Sequence, residues 1–188
     1  MSTLPLVEVP ALVALVLNVA LWFAAQVAAG YAAHRLPLRS LQRDRWLLRL
    51  RPFEDGGRWY ERKLRIGRWK DRLPEAGDFF DDGLSKRTLP PRSEGGLERF
   101  AAETRRAEVA HWASFSCLPL VVIWNSALGS LMMLAYGLAF NLPLIAIQRY
   151  NRARITRIVQ RRDRRGAPPR AQPPSVRGVR PHRTARPC

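Results

Sequence analysis

The sequence predicts an all-α integral membrane protein: about three transmembrane helices, with amphipathic interfacial helices in a cytoplasmic loop. Three observations carry that fold class. Val9 to Ala33 contains no ionisable group except Tyr31, and its 25 residues exceed the roughly 20 needed to cross the hydrocarbon of a bilayer. Val109 to Gln148 is a second apolar run of 40 residues, too long for one span and right for two. The 32 Lys and Arg avoid both runs: 19 lie between His34 and Glu108, and 13 follow from Arg149 onward. Every cation therefore falls on one side of a three-span arrangement. The positive-inside rule puts the N-terminus outside and residues 34–108 and the C-terminus in the cytoplasm.

Composition narrows the classes. The 188 residues carry a formal charge of +17, yet 47% are hydrophobic, which excludes a wholly disordered basic chain. Two cysteines, Cys117 in the apolar run and Cys188, cannot build a disulfide scaffold or a Cys-rich zinc site.

The elements follow in order. Residues 1–33 form the first span; the rival, a cleaved signal peptide, has small residues at Ala24, Ala25, Ala28 and Ala29 but lacks a basic n-region. Residues 34–108 are the cytoplasmic interfacial region, where Trp46, Phe53, Trp59, Tyr60 and Trp69 alternate with Arg, as suits headgroup depth. Near its end, Ser93 to His111 reads as a helix capped by Ser93 that runs on into the second span. Residues 109–148 are a helical hairpin turning near Asn125, Ser126, Gly129 and Ser130. Residues 149–162 are a basic juxtamembrane segment, and 163–188 an Arg/Pro-rich tail with too few apolar residues to fold.

One constellation carries chemistry. Thr104, Glu108 and His111 share a helix face, with Glu103 and Trp112 beside them. A carboxylate from Glu108 or Glu103 that orients the His111 imidazole gives a general base for an alcohol. Viewed as a bland pair, the His and Glu only satisfy each other. The hairpin returns Gln148, Arg149, Tyr150, Asn151, Arg152 and Arg154 to the same leaflet, where cations and amides suit phosphate, carbonyl or sugar hydroxyls; the bland reading is a stop-transfer anchor. Arg68, Trp69 and Lys70 form a third polar patch, over the site or simply at the interface. Glu108 and His111 are only half of a di-iron motif, so no metal and no cofactor is expected.

At these residues the chain resembles the glycosyl-4,4'-diaponeurosporenoate acyltransferases of staphyloxanthin-type carotenoid biosynthesis. The resemblance rests on Arg68-Trp69-Lys70, on Glu103-Thr104-Arg105-Arg106-Ala107-Glu108 with His111-Trp112, on Asn141 and Pro143, and on Gln148-Arg149-Tyr150-Asn151-Arg152 with Arg154. It implies a multi-pass enzyme of the bacterial cell membrane that esterifies a sugar hydroxyl of a glycosylated carotenoid, or related glycolipid, with a fatty acyl chain. The partners expected are an acyl thioester donor, the glycosylated acceptor and membrane lipids, without nucleic acid. His111, Glu108 and Glu103 are then the catalytic candidates. Arg149, Asn151, Arg152, Gln148, Tyr150, Arg68, Trp69, Lys70 and Asn141 are the substrate-binding ones. The rival from another class is a non-catalytic membrane scaffold, which would tolerate size-preserving changes at Glu108, His111 and Asn151. A nucleic-acid-binding tail is a third reading, disfavoured because the charges already fit the positive-inside pattern.

Overall fold

The computed structural model describes residues 4–42, 45–73 and 96–166, and every regular element among them is helical, without strands. The cap expected at Ser93 and the tail beyond residue 166 lie outside the described residues. Helix α1 (Ala11–Arg35) starts after Pro10, whose fixed φ suits the residue just before a helix. A single turn, α2 (Leu38–Leu41), follows. The interfacial segment then folds into a 3₁₀ turn over Pro52–Gly57, the short α3 (Arg58–Lys63), and two more 3₁₀ turns over Ile66–Arg68 and Lys70–Arg72. Helix α4 (Gly96–Phe115) and helix α5 (Ala127–Gly166) form an antiparallel hairpin joined through a 3₁₀ turn over Leu118–Ile123.

The hairpin turns at Asn125 and Ser126, where the sequence places its break. Its first arm differs from a continuous span. Pro119 has no backbone N–H to offer the Phe115 carbonyl, and Ser114 and Ser116 turn their hydroxyls back onto the carbonyls of His111 (3.0 Å) and Ala113 (2.6 Å). The α-helix therefore stops at Phe115 and the chain tightens into 3₁₀ geometry. Of the described helices, Ala11–Arg35 and the Ala127–Arg161 part of α5 are long and apolar enough to cross a membrane. Only 6% and 22% of their most apolar stretches are buried, which differs from the mostly buried core helix of a soluble protein. Leu12, Phe23, Leu128 and Met132 all point outward.

Helix α1 packs on α4, and among its buried residues Ala29 and Ala33 are small enough to allow close approach. Trp22 meets α5 edge-on, its ring 5.2 Å from Tyr136 and 5.8 Å from Phe140. At the turn end, Asn18 and Asn125 exchange amide hydrogen bonds of 3.0 and 2.8 Å, and Trp124 Nε1 donates to Asn18 Oδ1 at 2.8 Å. At the other end Arg106 donates to the Leu36 carbonyl at 3.0 Å. The same end gathers the interfacial segment: Tyr60, Ile66, Ile147 and Tyr150 form one apolar cluster, with Trp59, Trp69 and Leu73 against it. A second, of Leu97, Phe100 and Ile155, closes the base of the hairpin.

Candidate active site

Helix periodicity brings Glu108 of α4 against Arg149 and Arg152 of α5, one turn apart on the same helix. Glu108 is fully buried. Its Oε1 accepts from Arg149 at 2.7 Å and from Trp112 Nε1 at 3.4 Å, and its Oε2 lies 2.8 Å from Arg152. Arg149 continues into the interfacial segment, ion-pairing with the buried Glu54 and donating to the carbonyls of Leu47 (3.3 Å) and Arg49 (2.8 Å). Arg152, also fully buried, donates to the Leu48 carbonyl. Glu54 is fixed locally as well: its Oε1 accepts from the Arg51 backbone N–H at 2.9 Å and its Oε2 from the Tyr60 hydroxyl at 3.1 Å. Burial and the Glu54 charge together push the Tyr60 phenol well above its ordinary pKa, so it remains a hydrogen-bond donor.

His111 stands one turn from Glu108, on the side of the apolar run. Its Nδ1 lies 3.3 Å from Asn141 Oδ1, which also accepts from the Ser114 hydroxyl at 3.2 Å. The Asn141 amide has only one orientation, because its Nδ2 donates to the Gly137 carbonyl at 3.0 Å. Oδ1 is therefore the atom facing the imidazole. In the neutral ring Nδ1 must carry the proton, which leaves Nε2 with the lone pair.

Several expected roles look different beside this geometry. Both oxygens of Glu108 are engaged by arginine, and the amide of Asn141 sits on the imidazole. Glu103 bonds Arg106 at 2.9 and 3.0 Å, two turns from His111. Arg149 and Arg152 are bound into the protein rather than held open. Tyr150 donates to Glu61 at 3.1 Å, with Arg154 over its ring at 5.4 Å. Trp69 donates to the Leu64 carbonyl at 2.9 Å and packs on Ile147, Lys70 pairs with Asp71, and Arg68 is exposed. Gln148 and Asn151 are both more than nine-tenths buried, and Gln148 Oε1 and Asn151 Nδ2 have no hydrogen-bond partner. One acceptor and one donor are thus unsatisfied in the interior of the basic end. Sequence reasoning missed Glu54 and Tyr60. The capping spacing of Arg51 and Glu54 ahead of the Asp-Gly-Gly turn was the available signal, but the ionic partner lies 95 residues away.

Fold and site together define a helical protein with two membrane-length helices, whose basic end collects buried ion pairs, an oriented histidine and unsatisfied amides. The chain belongs to the glycosyl-4,4'-diaponeurosporenoate acyltransferase family, whose model matches residues 43–161, and it is an acyltransferase by that membership. It is 28% identical over 147 residues to the glycosyl-4,4'-diaponeurosporenoate acyltransferase of Staphylococcus aureus strain N315, covering 77% of this chain and 87% of that protein. The same protein from the bovine strain RF122 / ET3-1 and from strain USA300 is 27% identical with the same coverage. No solved structure matches the chain.

Proposed function

We propose that this protein is a membrane enzyme that transfers a fatty acyl chain from a thioester to a sugar hydroxyl of a glycosylated carotenoid, with His111 as the general base. Nε2 takes the hydroxyl proton, the sugar oxygen bonds to the acyl carbon, the carbon–sulfur bond breaks, and the proton passes to the departing sulfur. The single observation that supports the reading is the Asn141 contact, whose amide oxygen favours a proton on Nδ1 and so a lone pair on Nε2. In this reading Asn141 positions the ring, and Glu108, Arg149 and Arg152 hold the frame. Gln148 and Asn151 receive the sugar, and the lipid part of the acceptor lies in the bilayer beside α5. The confinement of the cations to one end of the helices supports an N-terminus outside and a C-terminus in the cytoplasm, with the α4 arm as a third, shorter pass.

Lipid mass spectrometry tests the proposal in a host that supplies glycosylated carotenoid. A species heavier by one acyl group is expected with the wild type. It should fall by about two to four orders of magnitude in His111→Ala, with the protein still in the membrane. An undiminished product in that variant refutes the mechanism.

A further inference from the structure

Ahead of α3, on the face of the interfacial segment, lies an open depression of about 470 Å³ lined by Arg49, Leu50, Arg51, Pro52, Asp55 and Gly56. Its charges are unevenly used. The Arg49 side chain is exposed and makes no hydrogen bond or ion pair among the described residues; its backbone alone is engaged, the N–H by the Arg45 carbonyl and the carbonyl by Arg149. Arg51 spends one guanidinium nitrogen on the Trp46 carbonyl at 3.1 Å and lies 5.4 Å over the Trp46 ring. Asp55, the acid in the lining, is already met by Arg58 at 3.8 Å and Arg62 at 3.3 Å. The balance left facing the depression is positive.

The backbone there is also held in a costly shape. Asp55, Gly56 and Gly57 have φ of 47, 57 and 94°, three consecutive left-handed residues, a conformation that disfavours Asp by roughly 1–2 kcal/mol. Arg157 fixes it by donating to the Gly56 carbonyl, and a side chain at Gly57 would press on Tyr150 at 3.3 Å. Arg149 and Arg152 hold the carbonyls of Leu47, Leu48 and Arg49, so the rim is tied to the residues that pair with Glu108, one turn from His111.

We propose that this depression binds the phosphate groups of the acyl donor, a fatty acyl thioester of coenzyme A, with Arg49 and Arg51 as the anion-binding side chains. The proposal rests on the acyl-transfer reading above. Planar guanidinium groups match phosphate oxygens two at a time. The charged end of such a donor stays at the water-facing loop, while its thioester arm runs toward the imidazole.

The experiment uses the full-length protein in discs of zwitterionic lipid, first titrated with free coenzyme A and then assayed with palmitoyl-coenzyme A. Arg49→Gln, whose side chain supports nothing else in the fold, should weaken coenzyme A binding and raise KM for the donor about tenfold, the scale of one lost charged hydrogen bond. Its kcat and the KM for the acceptor should stay within about twofold of wild type. Arg49→Lys should recover part of the affinity, and Arg51→Gln should act in the same direction. Unchanged coenzyme A affinity and donor KM in Arg49→Gln overturn the proposal. So does a defect seen only when the discs contain phosphatidylglycerol, which would assign the depression to lipid headgroups. Wild-type protein that binds coenzyme A through Arg49 but transfers no acyl group would sink the acyl-transfer reading and leave the anion site standing.

Discussion

In the proposed mechanism Asn141 does at His111 what a carboxylate does beside many catalytic imidazoles, but without charge. Its amide is anchored by the Gly137 carbonyl, so the oxygen it presents to Nδ1 is not interchangeable with nitrogen. Asn141→Leu removes both the orientation and an acceptor, and is expected to cut kcat at least tenfold with little change in KM. Asn141→Asp keeps the acceptor and should recover much of the loss; steady-state kinetics on the two variants separate positioning from packing. The helix face shared by Thr104, Glu108 and His111 was legible from the spacing alone, and Thr104 and Glu108 are indeed fully buried. The identity of their partners was not. A carboxylate one turn from an imidazole attracts it in an isolated helix, but two arginines delivered by α5 take both oxygens of this buried anion.

At the level of elements, α1 is tied to the hairpin at its two ends by polar contacts and between them by Trp22, Ala29 and Ala33. The reciprocal amides of Asn18 and Asn125 lie where little water competes, and such pairs contribute about 0.6–2 kcal/mol. Asn18→Leu should therefore destabilise the protein by roughly that amount, because Trp124 Nε1 and Asn125 Oδ1 lose their partner. The Asn18→Leu/Asn125→Leu pair should cost less than the sum of its parts. Unfolding of the four proteins in detergent, analysed as a double-mutant cycle, gives the coupling. The turn at Asn125 could be read from its small polar residues, whereas the premature end of α4 could not be read from apolarity. Hydropathy reports what a segment is soluble in, and Pro119 with two back-bonded serines decides what shape it takes.

Across the whole molecule, Glu54, Glu108, Arg149 and Arg152 join three parts of the chain that are otherwise held by apolar clusters. Arg149 uses its planar fork on two carboxylates and two carbonyls, a set of acceptors that an ammonium group cannot reach together. Arg149→Lys is expected to lower stability by about 3 kcal/mol or more, the scale for breaking a buried ion pair. It should also loosen the interfacial segment, which limited proteolysis between residues 45 and 57 would detect as faster cleavage. Only the position of this network at the basic end was legible in the sequence, since its links span 41 to 104 residues and no local pattern encodes them. That separation also orders events during synthesis. Both carboxylates leave the ribosome before the arginines that neutralise them, so until α5 is delivered Glu108 waits as an uncompensated charge at the edge of an apolar run. Docking of α5 is thus the step that neutralises both carboxylates, and a chain that ends before Arg149 has neither partner for Glu108.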